Sequence, residues 1–423
     1  MSAPAPRPRV VILGGGFAGL YAARALSGEP VTVTVVDRTN HHVFQPLLYQ
    51  VATGVLAPSD ITVPIRWRLR GQANATVLLA GVMGIDVARR EVQLDSDPGM
   101  IAYDYLIVAT GARHAYFGHD EWEAHAPGLK TIEDAFAVRR RFLLALERAE
   151  RATDTTVRAT ELSIVVVGGG PTGVELAGMI PTVCRRALVR EFRHIDTRAV
   201  RVVLAEAGPR LLPAFPAPLA ERARRDLEAL GVDVRLGAAV SGVDAEGVTI
   251  GAERIAARTV FWAAGNLASP LGRALGAPLD RQGRVLVEPD LSVPGRPELF
   301  VAGDLAATTW EGRPVPAVAP AAVQQGECAA RNIVRTLRGE PREPFRYRNK
   351  GDLATIGRNK AVGMLWDGRV RLTGRAAWWF WLFVHILYLA GFRNRASVLL
   401  QWAYAYVTYQ HGVRLITGTD AAS

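Results

Sequence analysis

The sequence predicts an α/β protein with two strand–glycine-turn–helix units and an amphipathic helical tail. Three stretches carry that expectation: "VVILGGGFAGLYAARAL" from Val10, "ELSIVVVGGGPTGVELAGMI" from Glu161, and "AWWFWLFVHILYLAGF" from Ala377 to Phe392. At 423 residues, 49% of them apolar, the chain is long enough for two or three domains with real cores. The formal charge of +10 comes mostly from arginine and points to an anionic partner, nucleic acid or anionic lipid. Two cysteines, Cys184 and Cys328, exclude a disulfide framework, a Cys-x-x-Cys redox pair, and an iron–sulfur cluster held by this chain alone. Both fit small buried side chains. The opening "MSAPAPRPRVVILGGG" lacks the apolar core of a signal peptide, so a cytosolic start is expected.

In the first stretch an apolar strand, Val10–Leu13, runs into Gly14-x-Gly16-x-x-Gly19 and then a helical pattern. The next strand, "VTVTVVDR", ends in Asp37, about twenty residues past the last glycine. Glycine lets the backbone turn tightly and approach a pyrophosphate. The helix N-terminus faces the phosphates, and the acid takes the ribose hydroxyls. The second stretch repeats the arrangement with Gly168-x-Gly170-x-x-Gly173, and "RVVLAEAG" ends in Glu206. An acid there bonds a free 2′-hydroxyl and repels a 2′-phosphate, which favours NADH over NADPH, although Arg210 lies close by.

The strands "YDYLIVATGA" and "ARTVFWAAGN" each end in a small-residue turn that would close one unit against its nucleotide, and "PELFVAGDLA" places Asp304 just after a buried strand. If electrons pass between the two nucleotides, one must be held and one exchangeable; FAD and NADH are the natural pair. The expected fold is therefore two Rossmann-like dinucleotide-binding domains, for FAD and NADH, plus a C-terminal amphipathic helical membrane-anchoring segment. Residues 1–115 and 267–345 would form the FAD domain, 116–266 the NADH domain, and 346–423 the membrane-binding region.

The glycine turns, "ATGA" and "FVAGD" resemble the two-dinucleotide-binding-domain flavoproteins. Within that group, "HHVFQPLLYQVATG", "YFGHDEWEAHAPGLKTIEDA", "APAAVQQG" and "ATIGRNKAV" with the aromatic tail are similar to the type II NADH:quinone oxidoreductases, the non-pumping respiratory NADH dehydrogenases. The resemblance covers essentially the whole chain. It implies hydride transfer from NADH to flavin N5, then two electrons to a membrane quinone, without proton pumping. The FAD set so implied is Gly14, Gly16, Phe17, Ala18, Gly19, Asp37 and Arg38 at the first turn, Val82, Thr110, Gly111 and Asp304 on later strands, and Ala322 and Val323. Gln45, Pro46 and Thr53 are placed near the isoalloxazine. "HHVFQPLLYQVATG" shows no strand or helix period and is expected as an ordered loop. With no Cys nearby and no carboxylate at ligand spacing, His41 and His42 are not read as a metal site, and none is expected elsewhere.

The NADH set is Gly168, Gly170, Pro171, Thr172, Gly173, Glu175, Glu206, Ala264 and Gly265. Glu175 is expected in the first turn of its helix. Geometry leaves two readings open, a carboxylate favoured by the helix dipole or a protein-side acid; the resemblance links a glutamate here to proton supply to the quinone. "VAPAAVQQGECAARNI" reads as a helix whose N-terminal amides would stabilise a reduced flavin. Pro320 stands where many family members have Gln, leaving Gln324 as the polar contact for a quinone carbonyl. Lys360 is either a further quinone-side residue or an ordinary surface lysine.

Trp378–Phe392 would make a helix of about 22 Å, too short for a hydrocarbon core of roughly 30 Å. After the basic turn "FRNR" a second helix, "ASVLLQWAYAYVTYQ", puts Val398, Trp402, Tyr406 and Tyr409 on one stripe, with Gln401, Thr408 and Gln410 off it. No acid falls between Asp367 and Asp420, whereas Arg369, Arg371, Arg375, Arg393, Arg395 and Arg414 all do. Aromatic residues and arginines favour an anionic lipid surface, with a monotopic anchor at the cytoplasmic face of the inner membrane and a membrane quinone, ubiquinone or menaquinone, as partner. The alternative is a C-terminal core or homodimer contact. Nucleic acid is not expected, because the basic residues ring an aliphatic–aromatic surface. A disulfide reductase or sulfide:quinone oxidoreductase would need cysteines this chain lacks. A non-catalytic redox sensor would be reduced by NADH yet reoxidise slowly with quinone.

Overall fold

The computed structural model describes residues 7–389, 392–408 and 414–417. The chain forms two compact units: Met1–Val43, Val63–Arg113 and Asn266–Asn349 make one, and Phe44–Thr62, His114–Gly265 and Lys350–Ser423 make the other. Residues 44–62, expected with the first unit, and 350–423, expected as a region of their own, thus belong to the second.

In the first unit a six-stranded sheet runs Ser292–Val293, Arg296–Val301, Tyr105–Val108, Arg9–Leu13, Thr32–Asp37, Ala75–Leu79. The Arg9–Leu13 strand pairs in parallel with both neighbours, Val10 opposite Val33 and Tyr105. Val10, Ile12 and Leu13 are fully buried, which is why the strand reads as an unbroken apolar run: both sheet faces are covered. Helix Phe17–Ala25 packs against helix Ala319–Leu337 through Gly326, where a Cβ would stand 2.0 Å from Ala18 O. Only glycine lets these two backbones meet.

The second unit has a parallel four-stranded sheet in the order Val232–Leu236, Arg201–Glu206, Ser163–Val167, Thr259–Trp262, with helix Pro171–Arg186 following its central glycine turn. Thr131 caps helix Ile132–Arg151 by accepting from Asp134 N (3.1 Å). The stretch expected as a loop at 41–54 is instead a short strand, His41–Val43, a 3-10 turn, Gln45–Leu47, and a helix, Leu48–Ala52. All five residues of that helix are buried, so no face is left polar and no period shows in the sequence.

The tail of the second unit is an antiparallel sheet, Asp352–Thr355, Ala361–Leu365 and Val370–Thr373, then helices Gly374–Tyr388 and Phe392–Thr408. "FRNR", expected as a turn, opens the second helix. Arg395 reaches back to the carbonyls of Leu389 (2.9 Å) and Leu387 (2.7 Å), capping the first helix rather than facing outward. Arg414 likewise turns inward, pairing with Glu191.

Trp381 is buried, stacked on His385 at 4.2 Å and against Trp402 at 5.3 Å. Val398 is fully buried and Trp402 half-buried, so that side of the second helix faces protein. Gln401, off that stripe, also faces protein, donating to Asp60 Oδ2 (2.9 Å). Tyr409 and Gln410, and the side chains of Tyr406 and Thr408, lie outside the described residues. The exposed side carries Trp379, Phe383 and Leu387 on the first helix and Leu399, Leu400 and Tyr404 on the second. No helix among the described residues is long and apolar enough to cross a membrane.

The Gly326 contact sets a stability prediction. Gly326→Ala should cost roughly 1–3 kcal/mol through overpacking against backbone. Gly71→Ala, where a Cβ meets nothing within 4 Å, should cost little. Chemical denaturation of both variants reads the difference.

Candidate active site: two glycine turns and a buried glutamate

The first turn begins with Gly14 at φ +101°, its N–H donating to Val36 O at 2.8 Å. Gly15 N donates to Asp37 Oδ2 at 2.6 Å, and Asp37 Oδ1 accepts from Thr39 N at 2.7 Å. Asp37 therefore fixes the turn it was expected to serve. At Gly16 a Cβ would meet nothing within 4 Å, and no side-chain hydrogen bond caps the helix, so its positive N-terminal end is presented to an anion. Gly303 (φ +78°) brings the remaining pieces of the unit together: a Cβ there would lie 3.3 Å from Ala18 Cβ and 3.8 Å from Ala322 Cβ. A pocket at this point is lined by Gly303, Asp304, Ala322 and Gln325. Thr110 Oγ1, beside the Gly111 turn, is buried and has no protein partner. An open phosphate cradle, a carboxylate at the ribose position and an orphaned hydroxyl are what a bound FAD would satisfy. Arg38 is exposed and Val82 half-buried on strand Val82–Asp86.

Phe17 packs edge-on against His42 (4.8 Å), which is buried and held near pKa 4 by desolvation. The ring is neutral, and its Nδ1 lies 3.2 Å from Gly15 O, so the proton sits on Nδ1. Gln325, which sequence reasoning passed over for its neighbour, is 3% exposed. Its Oε1 accepts from Gly303 N at 2.6 Å and its amide donates to Thr308 Oγ1 at 2.9 Å, fixing the Asp304 turn. Gln324 is tied differently. Its amide donates to Pro320 O (2.9 Å) and Arg348 O (3.1 Å), and its Oε1 accepts from Arg348 N (2.9 Å). A quinone carbonyl would have to take over one of those bonds. Pro320 is the second residue of the helix and Val323 is half-buried.

The second unit repeats the turn atom for atom. Gly168 has φ +112°, Gly170 opens onto free space, and Gly169 N donates to Glu206 Oε2 at 2.6 Å. Glu206 Oε1 also accepts from Gly208 N at 2.6 Å. Arg210, exposed, donates to Pro213 O (2.9 Å). Pro171 begins the helix, Thr172 is half-buried, and Gly173 sits where a Cβ would lie 1.8 Å from Gly168 O. The Ala264–Gly265 turn has Gly265 at φ +71°, with Phe117 packed 2.6 Å from where a Cβ would stand. Lys360 is paired with Asp226 at 3.3 Å.

Because the helix starts at Pro171, Glu175 lies beyond its first turn, a correction to the sequence expectation. It is buried, and desolvation raises its pKa to about 8 against the weaker pull of Thr355 N, 3.4 Å from Oε1. A dipole-favoured carboxylate would be shifted down; this one is a protonated acid at neutral pH. Tyr49 is buried close by, its pKa driven up first by desolvation and then by Glu175. Gln45, exposed, donates to Lys130 O at 3.1 Å; Pro46 is half-buried; Thr53 is buried and donates to Tyr49 O at 2.8 Å.

A family profile described as pyridine nucleotide-disulphide oxidoreductase matches residues 8–326. The chain is 44% identical to the type II NADH:quinone oxidoreductase Ndh of Mycobacterium tuberculosis, over 99% of this chain and 92% of that protein. NdhA of the same organism is also 44% identical, over 98% and 91%. The chain belongs to the type II NADH:quinone oxidoreductases. The solved structure of NDH2 from Plasmodium falciparum in complex with NADH shares the fold, with a TM-score of 0.88 at 19% identity, covering 97% of this chain and all (100%) of that one. The disulphide chemistry of the wider family has no counterpart here. Cys184 and Cys328 are free and buried, and desolvation pushes their thiols up to about 12 and about 11.

Glu175 sets a pH dependence. A carboxyl raised from 4.5 to about 8 on folding binds more protons folded than unfolded across that interval, so stability falls as pH rises through it. Glu175→Gln should remove this decline, worth on the order of a few kcal/mol. Thermal melts of the holoenzyme across this interval would show parallel curves for variant and parent if Glu175 is ordinary.

Proposed function

We propose that the protein oxidises NADH and reduces a membrane quinone, ubiquinone or menaquinone, at the cytoplasmic face of the inner membrane, without moving protons across it. The observation that carries this reading is the buried Glu175 on the helix that follows the second glycine turn, where desolvation raises its pKa to about 8. FAD, when bound, supplies the link between a two-electron hydride donor and the quinone by accepting hydride at N5. The first unit would hold it through Gly14, Gly16 and Gly19, the amides of helix Phe17–Ala25, Asp37, Thr110 and Asp304. The second unit would hold NADH through Gly168, Gly170, Gly173 and Glu206. Glu206 at the end of its strand opposes a 2′-phosphate, which favours NADH over NADPH.

Stoichiometry assigns Glu175 its task. NADH delivers two electrons with one proton, whereas a quinol carries two protons, so each turnover needs one more. A carboxyl protonated near neutral pH holds such a proton out of bulk water and recovers it afterwards. Gln324 would orient a quinone carbonyl by exchanging its bond to Arg348 O. Glu175→Gln should keep FAD bound and its reduction by NADH, yet slow turnover with quinone by about 10²-fold or more, as loss of a positioned acid does. Unchanged turnover at saturating NADH and quinone would remove Glu175 from the reaction.

The exposed stripe Trp379, Phe383, Leu387 recurs every four residues on helix Gly374–Tyr388, and Leu399, Leu400 and Tyr404 extend the apolar surface. We read it as lying in one leaflet of an anionic membrane. Trp379→Glu with Phe383→Glu should abolish co-flotation with anionic phospholipid vesicles. If flotation is unaffected while light scattering shows a dimer becoming a monomer, the stripe is instead a homodimer contact.

A further inference from the structure

In the second unit four hydrogen-bonded side chains, Trp402, Gln50, Tyr49 and Thr355, form a line that reaches the acid through the main-chain amide of Thr355. Trp402 Nε1 donates to Gln50 Oε1 (2.8 Å), and Gln50 Nε2 donates to Tyr49 Oη (3.0 Å). Tyr49 Oη lies 2.9 Å from Thr355 Oγ1, and Thr355 N donates to Glu175 Oε1 (3.4 Å). We propose that Trp402, on the C-terminal helix, is a positioning residue for Glu175, acting through Gln50, Tyr49 and Thr355.

The direction of the line is fixed by donor chemistry. An indole N–H can only donate, so Gln50 must turn its oxygen to Trp402 and its nitrogen to Tyr49. With Gln50 Oε1 turned to Trp402 and its amide to Tyr49, Thr355 Oγ1 is the acceptor left for the Tyr49 proton. Tyr49 and Gln50 are 3% exposed, Thr355 2% and Glu175 8%, so water cannot replace a lost link. Without the indole, nothing holds the Gln50 amide in this orientation. Flipped, it would accept from Tyr49, and the Tyr49–Thr355 bond would have to reverse, with Thr355 donating. The helix carrying Trp402 is itself pinned on the same segment, Ser397 donating to Asp60 Oδ1 (2.8 Å), Gln401 to Asp60 Oδ2 (2.9 Å) and Asn394 to Thr62 O (2.9 Å).

The elements packed against the Glu175 helix carry Tyr49 on helix Leu48–Ala52, Asp352 on its strand, Arg198 on the turn Thr197–Ala199, Arg201 and Glu206 on one strand, Asp233 and Arg235 on the next, and Glu221, Arg222, Arg224, Arg225, Asp226 and Glu228 on helix Ala217–Glu228. Tyr49 is the one whose ionisation Glu175 opposes. Glu206 is held by the amides of Gly169 and Gly208, and Asp226 by Arg222 and Lys360. The Thr355 amide is thus the contact that favours the charged carboxylate. Disturbing Thr355 leaves that charge less supported.

The inference rests on the proton-donor reading of Glu175 only for its effect on turnover, and its test is independent of that role. Infrared spectra of the full-length, detergent-purified holoenzyme, titrated with pH, would follow the protonated-carboxyl band that Glu175→Gln deletes. In Trp402→Phe, and separately in Tyr49→Phe, the band's midpoint should rise by about 0.5 pH unit, a threefold change in the ionised fraction near the midpoint. A midpoint unmoved in both variants overturns the inference. Turnover unchanged in Glu175→Gln would instead sink the catalytic reading and leave the positioning result standing.

Discussion

Both nucleotide units depend on one steric constraint. The helix after each glycine turn must begin against the carbonyl of the turn's first glycine, and a Cβ at Gly19 or Gly173 would stand 1.8 Å from that oxygen. Glycine at these positions lets the helix N-terminus come down onto the turn, aligning its positive end with the approach of a phosphate. The acid at the end of the next strand then locks the turn through the middle glycine's amide, at 2.6 Å in each unit. What each unit binds follows from that geometry. What the enzyme does next depends on groups outside it.

In the proposed reaction the most consequential of these is Glu175. Its place on the second unit's helix follows from the same turn, yet its chemistry comes from burial rather than from the helix dipole. Removing water from a carboxyl disfavours the anion more than one long amide contact can restore. The same unit carries the tail, so a helix with an exposed apolar side is seated by polar bonds whose last member touches the acid. Polar seating is costly unless every partner is present, and here Asp60, Gln50, Ser397, Gln401 and Trp402 satisfy one another.

The parts legible in the sequence were those that demand particular residue types at short spacing: the two turns, Asp37 and Glu206, and the helix beginning at Ala319. The Leu48–Ala52 helix was not legible, because a helix buried on every side leaves no periodic trace. Gln325 was hidden beside Gln324 because adjacent helical residues point in different directions, and only the fold shows which one reaches Gly303. The line from Trp402 to Glu175 was out of reach for another reason. Its links span 306 residues from Tyr49 to Thr355 and 352 from Gln50 to Trp402, and no local pattern announces such partners. Within the tail, amphipathicity was evident but its facing was not: Val398 and Trp402 turn to protein, and Leu399, Leu400 and Tyr404 turn out.

The central claim is that electrons taken from NADH leave through a quinone. It is tested most directly by anaerobic stopped-flow absorbance on the detergent-purified holoenzyme, following the flavin band as NADH and then a short-chain quinone are mixed in. The account predicts rapid bleaching by NADH and equally prompt recovery on adding quinone. Bleaching that persists in the presence of ubiquinone and menaquinone analogues would contradict it.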